Sequence, residues 1–183
     1  MEQKIFTSAH EISPVTMAII ASRDKDGRLI SYILDETAEY VSHLSPSKLI
    51  DNACMFFGSS LKGRQEGSRV ISGLTHKVPI SIDPASGMYF LPTYSPTSPK
   101  CSWLSHSHIG DVIQLDEGNA EVLFINGKTI TLDVSYGSLT NQVRRTAQFR
   151  YKLNNRLHHI GKGMIAENPN PFDVINTFKN ERD

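Results

Sequence analysis

Cysteine is scarce. The chain of 183 residues holds two, Cys54 and Cys101, too few for a disulfide framework, so a reducing, cytosolic compartment is expected. Long apolar runs are missing as well. Stretches such as Met17–Ala21 and Tyr89–Leu91 are far shorter than a bilayer demands, which excludes a membrane-spanning helix on sequence grounds. The opening Met1-Glu2-Gln3-Lys4 lacks the basic start and apolar stretch of a secretory signal. Net charge is absent too, with 19 basic residues against 19 acidic ones. A neutral total argues mildly against nucleic-acid binding, since domains of that kind are usually basic.

What is present is segregated. From Asn141 to Lys162 stand Arg144, Arg145, Arg150, Lys152, Arg156 and Lys162 with no acid among them. From Asp111 to Thr140 the acids Asp111, Asp116, Glu117, Glu121 and Asp133 face Lys128 alone. A neutral chain with this distribution still presents a concentrated basic face.

The first two-thirds read as short strands joined by turns. Val15–Ser22 and Arg28–Leu34 flank a hairpin loop at Asp24-Lys25-Asp26-Gly27. Ile80–Ile82 and Met88–Leu91 flank Asp83-Pro84-Ala85-Ser86-Gly87, again turn chemistry. A third hairpin is predicted at Asn126-Gly127, a pair suited to the two positive φ angles of a type I′ turn. Beyond it Ile130, Leu132 and Val134 alternate with polar residues, as on a half-buried strand. Ser45 followed by Pro46 predicts a helix start, and Pro92–Pro99 a loop.

The last third changes character. Ser138 is expected to cap a helix running to about His158, where Gly161 and Gly163 break it. Leu139, Val143, Ala147, Phe149, Tyr151, Leu153 and Leu157 share one broad arc of that helix. Arg145, Lys152 and Arg156 form a row on the polar side, whereas Arg150 falls within the apolar arc and could be a buried arginine paired with an acid of the hairpin. A short second helix is expected over Pro171–Asn180. Together these elements predict an α+β fold, a strand-rich antiparallel body followed by a long amphipathic helix and a short one. The expected organisation is a strand-rich domain over residues 1–160 that ends in the basic helix, and a C-terminal regulatory or interaction tail over 161–183.

Several blocks carry a resemblance. They are Cys54-Met55-Phe56-Phe57-Gly58-Ser59-Ser60 with Gly63-Arg64 and Gly67, then Thr75-His76-Lys77-Val78-Pro79-Ile80 with Asp83-Pro84 and Leu91-Pro92-Thr93. Cys101-Ser102-Trp103-Leu104-Ser105-His106-Ser107-His108 follows, then Phe124–Thr129, Ser135-Tyr136, Asn141-Gln142-Val143 and Arg145-Thr146-Ala147. In this order, over roughly residues 46 to 157, they resemble the ComK family of competence transcription factors. The resemblance implies an activator of DNA-uptake genes that binds paired A/T-rich boxes in double-stranded DNA, largely through the minor groove, as dimers on each box. It also implies a cytoplasmic, nucleoid-associated protein and control by an adaptor, MecA, that delivers the family to a Clp protease. The family's adaptor motif resembles Phe-Met-Leu-x-Pro, whereas Gly163-Met164-Ile165-Ala166-Glu167-Asn168-Pro169 here lacks the aromatic residue and displaces the proline.

The candidate DNA-binding residues fall in two groups, Arg144, Arg145, Arg150, Lys152 and Arg156 on the basic helix, and Lys62, Arg64, Arg69 and Lys77 around glycines 58, 63 and 67. In the first, cations would neutralise phosphates and release counterions; the competing reading is a solvated helix face. In the second, a glycine-rich turn would bring backbone N–H groups close to phosphates, though no P-loop spacing is present. Cys101, His106 and His108 have the residue types of a zinc site but not its spacing, since Cys101 falls on the other face of a strand from the two histidines. No metal, no cofactor and no catalytic residue are therefore expected. The competing classes are a Cys101-based enzyme using His106 or His76 and a protein-interaction module without DNA affinity.

Overall fold

The computed structural model describes residues 5–6, 11–115 and 118–167, and side chains over 11–115 and 118–158. The chain divides into two units, Met1–Arg150 and Tyr151–Asp183. The strands lie in the first. They are β1 (Ile5–Phe6), β2 (Thr16–Arg23), β3 (Leu29–Asp35), β4 (Glu39–Ser42), β5 (Ile80–Asp83), β6 (Met88–Pro92), β7 (Trp103–Ser105), β8 (Ile109–Gln114), β9 (Ala120–Phe124) and β10 (Thr129–Leu132). Among the described residues they build a seven-stranded sheet, ordered β1-β4-β3-β2-β7-β6-β5, and a three-stranded sheet, β10-β9-β8. Pairing is antiparallel except between β1 and β4. The helices are α1 (Pro46–Phe56), α2 (Leu61–Ser72) and α3 (Tyr136–Glu167), which makes the expected α+β fold.

The larger sheet is buried on both faces. Ile19, Ile33, Phe90 and Trp103 enter one core with Leu49, Ile50, Ala53 and Cys54 of α1. Their strand neighbours Ala18, Leu34, Leu91 and Leu104 enter the other, with Val122 and Phe124 of the smaller sheet and Leu139 of α3. Adjacent strand residues point to opposite faces, so covering both faces makes a strand read as a continuous apolar run rather than an alternation. The runs at Met17–Ala21 and Tyr89–Leu91 have that origin.

Local chemistry sets the helix ends. The Ser45 hydroxyl accepts from the Lys48 N–H (3.3 Å) with Pro46 at the first turn of α1, the start the sequence predicts. The glycine-rich segment after it is not a turn but a helix, α2. Ser60 caps it by accepting from the Gly63 N–H (3.1 Å), and Gly73, left-handed at φ +77°, ends it. Gly63 and Gly67 each cost the helix about 1 kcal/mol relative to alanine. The cap, the terminator and an Asp51 carboxylate on the Leu61 N–H (3.0 Å) offset part of that.

Three further expectations change. The helix α3 begins at Tyr136 and Ser135, not Ser138, caps it, accepting from the Ser138 N–H (3.3 Å). Gly161 and Gly163 do not end it, since it continues to Glu167. At Asn126-Gly127 only Gly127 has positive φ (84°). Its N–H bonds the Phe124 carbonyl and the Phe124 N–H bonds the Lys128 carbonyl, which is a three-residue loop with the glycine as its bulge rather than a type I′ turn. The helix expected over Pro171–Asn180 lies outside the described residues.

Candidate nucleic-acid interface

The two basic segments meet where the loop between α2 and β5 lies against α3. Gln142, 2% exposed, donates through Nε2 to the carbonyls of Lys77 (2.9 Å) and Pro92 (2.9 Å). Its Oε1 accepts from Arg145 Nη1 (2.8 Å), whose Nη2 donates to the His76 carbonyl (2.6 Å). These bonds pin the loop to the helix and hold Lys77 at φ +47°, the positive φ of a non-glycine residue among the described ones. A conformation of that kind costs on the order of 1 kcal/mol and persists where its surroundings enforce it. The Lys77 ammonium lies 5.4 Å from the Tyr94 ring centroid and reaches the Ser138 hydroxyl.

The candidate cations are therefore not equivalent. Arg69 and Arg144 are exposed, and among the described residues neither is paired with a carboxylate. Lys62 is exposed and stands 4.0 Å from Glu66 one turn on, a surface pair of small energy. Arg64 is half-buried and donates to the Phe57 carbonyl (3.1 Å) at the C-terminal end of α1, where unpaired carbonyls favour a cation. Arg145 is half-buried in the network just described, so it is not the exposed member of an equivalent row that the helical wheel suggests. Lys152 and Arg156, in the second unit, are exposed.

Arg150 also departs from expectation. Its guanidinium carbon lies 4.9 Å from the Tyr89 ring centroid and Nη1 donates to the Ser107 hydroxyl (3.0 Å). A π face and a hydroxyl take the place of the expected hairpin acid. Sequence reasoning missed the role of Gln142, a polar residue whose burial becomes visible only when α3 meets the β5 and β6 segments.

The zinc and thiolate readings find no geometry. His106 and His108 lie on a single 3-10 turn, His106–His108, and not on a strand. His108 is shared between the Ser105 hydroxyl (2.8 Å at Nδ1) and Glu36 (3.2 Å at Nε2). Cys101 lies in the α1 core with its thiol directed at the Tyr94 carbonyl (3.4 Å). Among the described residues no three His, Cys, Asp or Glu side chains are grouped to hold a metal ion. Burial pushes both thiols, Cys54 and Cys101, up to about 11, the opposite of what a nucleophile needs. Alkylation of the folded protein at about pH 8 should accordingly be slow at both positions and become fast on unfolding. Rapid labelling of native Cys101 would contradict this assignment.

No helix among the described residues is long and apolar enough to cross a membrane. The family model described as ComK protein matches residues 7–158. The chain is also 36% identical over 151 residues, 82% of its own length and 78% of the relative's, to a protein of Bacillus subtilis (strain 168) named competence transcription factor. No solved structure matches. The class thus defined is that of transcriptional regulators of competence. Within it, this chain belongs to the ComK family.

Proposed function

We propose that this protein activates competence genes by binding double-stranded DNA with paired A/T-rich boxes, meeting the duplex with the seam between the α2–β5 loop and α3. The observation that carries the reading is the Gln142–Arg145 network, which brings Lys77 and Arg145 together beside the exposed Arg144, with no carboxylate paired to them among the described residues. Cations left without acids gain from phosphates, because binding releases condensed counterions. Arginine also suits the narrow, strongly negative minor groove of A/T tracts. Lys62 and Arg69 on α2 extend the contact in the same proposal, and Lys152 and Arg156, in the second unit, are phosphate contacts in their own right. The protein works in the cytoplasm, on the nucleoid, and assembles as dimers on each box. Residues 161–183 form its regulatory tail, though the departures at Gly163–Pro169 argue against a MecA-like adaptor reading that stretch. Binding rather than catalysis is its activity, consistent with two buried, protonated thiols.

A gel-shift titration with a boxed and a scrambled duplex tests this. The boxed duplex should bind more tightly. For about four phosphate contacts, affinity should fall about 100-fold between about 50 and about 200 mM salt. Equal affinity for the two duplexes removes the box recognition, and affinity indifferent to salt removes the phosphate contact.

A further inference from the structure

Arg145 and Arg150 are five residues apart, which on an α-helix places them about 140° from each other. They therefore stand on different flanks of the face that α3 buries through Gln142, Thr146 and Phe149. Arg150 has its own surroundings. Tyr89 of β6 lies under its guanidinium, and Ser107 fixes Nη1 while donating to the Gly87 carbonyl (2.7 Å). Gly87, at φ +73°, admits the approach: a Cβ there would come within 3.3 Å of the Ser107 hydroxyl and 3.9 Å of Arg150 Nη2. Asp83, the acid of the same turn, is occupied by the N–H groups of Ala85 and Ser86 and by the Ser86 hydroxyl.

A half-buried guanidinium without a carboxylate is costly to keep. Its ring contact and its bond to Ser107 engage one nitrogen and one face. Among the described residues Nε and Nη2 have no hydrogen-bond partner, and these are the two donors of the edge that grips an oxyanion in two parallel bonds. The fixed side chain has already lost the rotamer freedom that binding would otherwise cost. We propose that Arg150 is a preorganised receptor for a phosphate group, at a seat formed by β6, the β5–β6 turn and the 3-10 turn before β8. The seat takes one phosphate, from a DNA backbone or free in solution. It rests on the DNA-binding reading only where the backbone is the source.

A neighbour reports on it. His106, on the same 3-10 turn as Ser107, is half-buried with an unpartnered Nδ1. Burial first, and then the charge of Arg150, hold its pKa below the usual histidine value, against a bond to the Val143 backbone that raises it. Arg150 of α3 is the charged group that acts on it; β6, packed on the same turn, carries Tyr89, and the turn itself carries His108. A phosphate on Arg150 cancels the cation's influence, so the protonated imidazole is favoured and the His106 midpoint must rise.

The experiment is an NMR titration of the histidine ring signals of the full chain against pH, alone, with inorganic phosphate, and with a short A/T duplex. The His106 midpoint should rise with at least one of the two. A rise with phosphate and duplex alike gives a general phosphate seat; a rise with the duplex alone makes the DNA backbone the source. No rise with either overturns the seat. Arg150→Lys keeps the charge and loses the two-bond edge, so its response should need about tenfold more ligand; a response equal to wild type overturns the proposal. Ser107→Ala, which releases Nη1 without touching the cation, should weaken the response in the same direction and serves if Arg150→Lys does not fold. A duplex that shifts in the gel while His106 stays unmoved leaves the DNA reading standing without the seat. Phosphate that moves His106 in a protein that binds no duplex leaves the seat standing alone.

Discussion

Replacing Gln142 by leucine should lower the stability of the folded protein by about 3 kcal/mol. The two side chains are close in size, so no large cavity opens. The loss lies in the hydrogen bonds. The Lys77 and Pro92 carbonyls, both held by Nε2, are left without that donor in a place where Gln142 itself is 2% exposed. An unsatisfied buried carbonyl costs about 1–3 kcal/mol. Arg145 loses the acceptor for Nη1, and its Nε is already buried without a partner. Lys77, at φ +47°, loses the bond that holds its carbonyl. Urea unfolding should show the midpoint falling with the slope unchanged. Asn141→Leu, one residue away and exposed, should stay within about 0.5 kcal/mol. A Gln142→Leu loss under about 1 kcal/mol would mean that the seam is held by something other than this side chain.

How far the sequence carried depended on whether the signal was local. The caps and turns are local chemistry: Ser45-Pro46 starts α1, and the loops at Gly27 and Gly87 fall at positive φ. The family blocks were legible for the same reason. The helix α2 was not, because its interior holds two glycines and among its residues only Ser68 is buried, so neither propensity nor an apolar stripe marked it. The candidate site was half legible. Its charged residues stood out by segregation, but which of them are tied into the fold depends on contacts between residues far apart in sequence. Arg145 meets His76 across 69 positions and Arg150 meets Ser107 across 43. A helical wheel shows only which residues share a side, and that is why it placed Arg150 in an apolar arc without naming the tyrosine ring it covers. The cap of α3 was displaced from Ser138 to Ser135 because two serines stand three apart and the sequence favours neither.

Reversing two exposed cations, Arg69→Glu in the last turn of α2 with Arg144→Glu next to Arg145 on α3, should weaken duplex binding by about two orders of magnitude at moderate salt. Each residue is exposed and without a carboxylate partner among the described residues, so little of its charge is spent within the fold. Two lost phosphate contacts remove about two from the slope of log affinity against log salt, and the new carboxylates add repulsion. Stability should change little, since exposed charges contribute a fraction of a kcal/mol. Arg69 sits in the last turn of α2, where an acid opposes the helix dipole, a further cost of about 0.5 kcal/mol. The comparison that decides the matter is Lys25→Glu with Arg28→Glu on the β2–β3 turn, which removes the same net charge from two other exposed positions. If the seam is the contact, that pair should keep most of the affinity and nearly the whole salt slope. Should both pairs lose affinity alike, the duplex responds only to the total charge of the protein, and the seam between the α2–β5 loop and α3 is not where it binds.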